Sequence, residues 1–176
     1  KKAIEFFQQA IANDPAYALA YSGLADTYYG LENYTFASGK EILPKAKEAA
    51  LRAVQLDDTL AEAHTSLAQI ALVYDLDRPT AEREFKRAME LDPNYASAHQ
   101  WYGQWFLGSV GKLDEGLAEL KHAQKLDPLS VTITRVAGEL LGYARQYDAA
   151  MIEERKAIEL DPESAGARRQ AARTYL

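Results

Sequence analysis

Five times along the chain an alanine stands five residues ahead of the same Leu-Asp-Pro-like boundary: Ala10 before Pro15, Ala53 before Asp58, Ala88 before Pro93, Ala123 before Pro128 and Ala157 before Pro162. The boundary recurs after 43, 35, 35 and 34 residues. A unit of that size is one helix pair. It cannot cover its apolar face alone, so neighbouring units must stack, and stability spreads along the row as local and nearest-neighbour terms. Function in such a chain belongs to an extended surface rather than to a deep pocket.

Other positions keep the same period. Twelve residues before each boundary stand Ala3, Ala46, Ala81, Gly116 and Ala150, and ten after it Ala25, Ala68, Gly103, Gly138 and Ala172. Large side chains recur between them: Phe7, Phe85 and Leu120 before the boundary, and Leu24, Leu67, Tyr102, Tyr28, Phe106, Leu141 and Tyr175 after it. Small residues let two helices approach, and large ones fill the space beside the contact. Apolar spacing of three and four, as in Ile4, Phe7, Ala10 and Ile11, predicts a helix on each side of every boundary. The Asp-Pro pairs at 14–15, 92–93, 127–128 and 161–162 end one helix and open the next, because proline lacks an N–H but fits a helix's first turn. Turns within the units are expected at Gly108 to Gly111, at Gly142 and before Pro79. Strand patterns are absent from the sequence.

These residues resemble the tetratricopeptide repeats. The matching signature is Tyr21, Leu24-Ala25 and Tyr28, then Ala81, Phe85, Ala88 and Pro93, then His99, Tyr102-Gly103 and Phe106. The resemblance implies an all-α, right-handed α-solenoid, a superhelix of antiparallel helix pairs. The whole chain, 1–176, then reads as a single array: a second-helix half repeat at 1–17, repeats at 18–60, 61–95, 96–130 and 131–164, and a first helix of a truncated repeat or cap at 165–176. Asp58 in the proline slot, Glu154 in a large apolar slot, and Thr134 and Arg168 in ring slots depart from the pattern and predict looser packing toward the C-terminal part. The stretches LDDTLAEAH, NYASAHQWY and KLDPLS are further similar to arrays attached to bacterial signalling and transcription-regulator proteins. That resemblance implies a larger signalling or regulatory parent, and a chain that opens Lys-Lys and stops at Leu176 reads as a piece of one.

Composition narrows the function. The net charge is −6 and acidic and basic residues interleave, which argues against a phosphate-tracking surface and for no nucleic-acid partner. Without cysteine there is no disulfide or thiolate site, and no run of apolar residues is long enough to span a membrane, so no membrane contact is expected from this segment. A cytoplasmic setting is favoured, with an extracytoplasmic one open if the parent is anchored. Asn33-Tyr34-Thr35 fits the glycosylation pattern but is a frequent chance match.

No catalytic, cofactor or metal constellation is readable, and the chain is not expected to be an enzyme. His64 and His99 share a slot six residues past a boundary that the family fills with a large ring, so both are assigned to packing. Glu62 and His64 are two apart and face different ways on a helix, which disqualifies them as joint metal ligands. Gly39-Lys40 and Gly111-Lys112 lack the rest of a phosphate loop.

The expected partner is a protein or peptide held on the concave wall lined by first helices. Residues seven, eleven and fourteen past each boundary share a helix face. They are Ser22, Asp26 and Tyr29; Thr65, Gln69 and Leu72; Gln100, Gln104 and Leu107; Arg135, Glu139 and Gly142; Arg169, Arg173 and Leu176. Aromatic anchors are supplied by Tyr29, Trp101 and Tyr143, with one member of the Trp101/Trp105 pair packing and the other facing out. A subclass of the family clamps acidic chaperone tails with lysine, asparagine and arginine. Ser22, Asp26, Ser66, Ser97 and Trp101 stand in those places here, so that clamp is missing. The insertion at 31–43 is expected to pack Phe36 and Leu43 on the flank or, alternatively, to fold over the groove mouth. Self-association through exposed array ends, giving a homo-oligomer, is the competing function.

Overall fold

The computed structural model describes residues 2–34 and 39–174. Phe36 and Thr35 of the insertion, and Tyr175 and Leu176, lie outside the described residues. All regular structure among the described residues is helical. The chain divides into two compact units, residues 1–93 and 94–176. The first holds α1 (Lys2–Asn13), α2 (Ala18–Tyr34), α3 (Gly39–Leu56), α4 (Ala61–Val73) and α5 (Arg78–Leu91). The second holds α6 (Ala96–Trp101), which runs into a π-helical turn (Tyr102–Leu107), then α7 (Leu113–Leu126), α8 (Val131–Tyr143), α9 (Tyr147–Leu160) and α10 (Ala165–Thr174).

The recurrent alanine and aspartate act together. The aspartate N–H at 14, 57, 92, 127 and 161 donates to the carbonyl of Ala10, Ala53, Ala88, Ala123 and Ala157, closing the last turn of a helix each time. Ala53, Ala88, Ala123 and Ala157 are wholly buried, so a larger side chain has nowhere to go. The aspartate side chain then holds the corner: Asp14 Oδ1 accepts from the Ala16 N–H at 3.0 Å, Asp57 Oδ1 from Thr59 at 2.9 Å and Asp161 Oδ1 from Glu163 at 3.0 Å. Because Asp57 also accepts the Thr59 hydroxyl at 2.7 Å, the corner closes without the proline that Asp58 replaces.

The described residues of the insertion are helical, since α2 continues to Tyr34 and α3 starts at Gly39 and runs on through Pro44. Ile42 and Leu43 are buried there.

A polar tie recurs, once in each unit. His64 Nδ1 lies 2.7 Å from Glu84 Oε2 and its Nε2 2.9 Å from the Asp58 carbonyl oxygen, joining α4 to α5. His99 Nδ1 lies 2.7 Å from Glu119 Oε2, joining α6 to α7. Both imidazoles are buried, as their packing assignment requires, and each adds a bond that an aromatic ring would lack. Thr134 occupies the same slot in α8 and opens onto a crevice of about 420 Å³ lined also by Gln124, Pro128 and Lys156, the looser packing expected of a short side chain. Glu154 departs from that expectation. It is fully buried, and a Cβ built on Gly138 would stand 3.0 Å from its Cγ, so the slot is tightly filled.

The two 35-residue repeats differ in where they carry one residue more than the 34-residue repeat of α8 and α9. Each inner turn pivots on a residue of positive φ: Leu76 (55°), Gly111 (77°) and Arg145 (59°). After α8, the Gln146 N–H reaches back to the Leu141 carbonyl, and after the π turn Lys112 reaches Leu107 across the same interval. After α4, Asp77 reaches Ala71, one residue further. The additional residue therefore enlarges the turn after α4, but is absorbed inside the helix between α6 and α7, where it widens one turn to the π form. Gly142 was the expected pivot after α8, but it stays helical and Arg145 takes the positive φ.

Candidate functional site

In the first unit the face expected to be open is mostly closed. Ser22, Thr65, Gln69 and Tyr29 are buried between helices. Ser22 Oγ and Ser66 Oγ are 2.9 Å apart, Ser66 donates to Asp26 Oδ1 at 2.7 Å, and Thr65 Oγ1 donates to the Ala61 carbonyl at 2.9 Å. The Ser22 and Ser66 hydroxyls are thus engaged across helices and the Thr65 hydroxyl within its own helix. Asp26 alone keeps an exposed edge. Its carboxyl is pushed up from 3.8 to about 6, chiefly by desolvation against the packed helices, with the Ser66 hydrogen bond opposing and the Glu62 charge adding.

The second unit brings the expected residues together. Glu139 on α8 is the hub. Its Oε2 accepts from Arg135 Nη1 at 3.3 Å and, at a long 3.5 Å, from Gln104 Nε2, while Oε1 accepts the Tyr143 hydroxyl at 3.2 Å. Gln100, which is buried, donates to Gln104 Oε1 at 3.4 Å. The Glu139 charge, then desolvation and its hydrogen bond, hold the Tyr143 hydroxyl above its usual value against the opposing charge of Arg173. Beside this hub is a recess of about 230 Å³, chiefly apolar, lined by Gln104, Trp105, Gly108, Ser109, Glu139, Leu140 and Tyr143. Trp105 is 43% exposed and Tyr143 67%. Trp101 stacks on Trp105 with centroids 6.2 Å apart at 20°. Arg169 and Arg173 lie exposed on α10, and neither forms an ion pair among the described residues.

One consequence of the π turn escaped the sequence reading. It turns Trp105, Gly108 and Ser109 toward α8, and none of the three was on the face counted from the boundaries, while Leu107, fourteen past its boundary like Tyr29 and Leu72, is buried as they are. In sequence this repeat carries only one residue more than the 34-residue repeat, without showing whether the helix or the turn takes it up.

Among the described residues no group of three or more His, Cys, Asp or Glu is arranged to hold a metal ion, and no helix is long and apolar enough to cross a membrane.

No protein-family model matches the sequence, and no curated protein does. Solved structures do match. The chain superposes with a TM-score of 0.81 on TTC0263, a thermophilic TPR protein of Thermus thermophilus, at 21% identity over 98% of this chain and 88% of that one. YrrB, described as a TPR protein with an unusual peptide-binding site, gives 0.61 at 24% identity over 96% and 81%. Human IFIT1, solved as a dimer with m7Gppp-AAAA, gives 0.83 at 19% identity over 99% of this chain and 42% of its own length. The fold is that of the tetratricopeptide repeats. It is an all-helical, TPR-like solenoid of antiparallel helix pairs. Seen as a TPR-like array, the chain offers two unlike stretches of first-helix wall: in the first unit serine, threonine and aspartate bond to one another, and in the second aromatic rings and a carboxylate hub frame a recess.

Proposed function

We propose that this TPR-like chain is a non-catalytic protein-interaction module that holds a peptide or protein segment on the first-helix wall of its second unit. The observation that carries the reading is the recess between the π turn and α8, framed by exposed Trp105 and Tyr143. Exposed aromatics beside a recess are the features that concentrate binding energy in protein interfaces. Gln104, Arg135 and Glu139 supply the polar groups that orient a backbone, and Arg169 and Arg173 extend the wall. The description of YrrB as having a peptide-binding site supports the same use here. The acidic net charge favours a protein partner over nucleic acid, and a larger signalling or regulatory parent would give the module its output.

A photoreactive residue at Ser109 on the wall should cross-link a partner in the native host, whereas one at Ile152, exposed on α9, should not. Capture at Ile152 alone would move the binding surface to the second helices.

Self-association has one observation in its favour: α1 has no buried residue, and Phe6 on it is 67% exposed. Light scattering across concentration tests it, and a persistent monomer removes it.

A further inference from the structure

We propose that the recess beside Trp105 takes one large apolar side chain of an extended partner segment, and that Arg169 and Arg173 on α10 take an acidic side chain lying about three residues further along the same segment. This rests on the wall of the second unit being the peptide-binding surface.

Size and lining set the first half. A volume of about 230 Å³ suits a single large side chain, and Trp105, Leu140 and Gly108 give it apolar contact. The polar groups at its edge are already engaged. Glu139 is bonded to Arg135 and Tyr143, and Gln104 to Gln100 and Glu139, so a charged guest would have to break this network, whereas an apolar one leaves it intact.

Charge sets the second half. Gln104, Glu139 and Arg173 each stand eleven residues past a boundary, and Gln100, Arg135 and Arg169 each stand seven past, so they form two rows across the successive first helices of the unit. Arg135 lies against α10, because a Cβ built on Gly166 would be 3.5 Å from its Cδ. Its charge is met by Glu139. Arg169 and Arg173 have no such partner among the described residues, which leaves a local positive step on a chain of net charge −6. Neighbouring helix axes are about 8–10 Å apart and an extended chain advances about 3.3 Å per residue, so one helix-to-helix step corresponds to about three residues. An RNA strand fits less well: the recess is apolar, Glu139 sits at its edge, and two guanidinium groups are few for a run of phosphates.

A random peptide library displayed on phage should yield, on the intact chain, sequences that pair Phe, Tyr, Leu or Met with Asp or Glu about three positions on. In synthetic peptides of the enriched sequence, replacing the apolar residue by Ala should weaken binding about tenfold or more, and replacing the acid by its amide about threefold to tenfold. The exposed Arg169→Gln plus Arg173→Gln variant, which leaves the core untouched, should bind the acid and amide peptides equally. Trp105→Phe and Tyr143→Ala should lose affinity for the anchor while keeping the preference for the acid. Enrichment of peptides with neither feature, or an acid preference that survives in the arginine variant, overturns this assignment while leaving peptide binding in place. Failure to enrich any peptide, together with salt-sensitive retention of a capped RNA oligonucleotide, overturns both.

Discussion

The helix pairs α4–α5 and α6–α7 have the same 35-residue spacing from boundary to boundary, and they house the residue that α8–α9 lacks in opposite ways. In the first pair the inner turn grows; in the second the helix itself widens to a π turn. The site follows from that difference. A larger turn leaves the helix register intact, so α4 presents the side chains its sequence dictates, and they are buried against α2. A π turn rotates the helix there, turning Trp105, Gly108 and Ser109 to the recess beside α8. Two repeats with one consensus thereby present unlike surfaces.

The sharpest way to break the comparison is at the helix contact. Gly103 and Ala68 both stand ten residues past a boundary, and of these two pairs the π-turn pair is the one with glycine there. A Cβ on Gly103 would lie 2.7 Å from the Gly116 carbonyl oxygen, and a Cβ on Gly116 would lie 2.7 Å from the Gly103 carbonyl oxygen. Backbone meets backbone on both sides, and neither can swing away. Gly103→Ala should therefore cost about 3 kcal/mol, at the upper end of ordinary overpacking, read as a fall in the urea midpoint. Ala68→Gly, which removes a methyl at the α4 equivalent, should cost only about 1 kcal/mol from backbone entropy. Similar losses for both would mean that the close approach is not a property of the π-turn pair.

The inner turns give a smaller effect with opposite signs. Leu76 and Gly111 hold the positive-φ pivot of the two pairs, and only glycine adopts it without strain. Leu76 is also 78% exposed, so its side chain contributes little packing. Leu76→Gly should stabilise by roughly 0.5–1 kcal/mol, and Gly111→Ala should destabilise by about 1 kcal/mol. Thermal melting of both variants checks this, and a loss for Leu76→Gly would show that its side chain packs after all.

The fold was legible because its determinants are periodic. Ala53, Ala88, Ala123 and Ala157 recur where there is no room for more, and the aspartate after each closes a helix by a local bond. The site was legible only in part, because it depends on departures from the period. Gln104, Glu139, Arg135 and Tyr143 were placed on one face and meet there. Residue counting, which assumes 3.6 residues per turn throughout, kept Trp105 off the counted face and left open which of Trp101 and Trp105 faces out. Ser22, Thr65 and Gln69 were assigned to the open binding wall on the same count. Polarity suggested exposure, but Ser22 bonds to Ser66 across helices and Thr65 to its own helix, so both can be buried at no loss of hydrogen bonds.

The closed wall of the first unit carries a pH signature in the acid range. Asp26 titrates near pH 6 in the folded chain and at its ordinary 3.8 when unfolded. Between those values the folded state binds more protons, so this carboxyl makes stability fall as pH rises from about 4 to about 6, with the penalty persisting above. Its exposed edge lets water reach the charge and keeps the effect small. Asp26→Asn retains an acceptor for the Ser66 hydroxyl at 2.7 Å and removes the charge beside Glu62. The variant should be slightly more stable than the parent above pH 6 and should converge with it near pH 4, which urea midpoints measured across that range will show. A difference that stays constant with pH would mean that Asp26 acts through hydrogen bonding alone, and the contrast between the two walls would then be one of shape without charge.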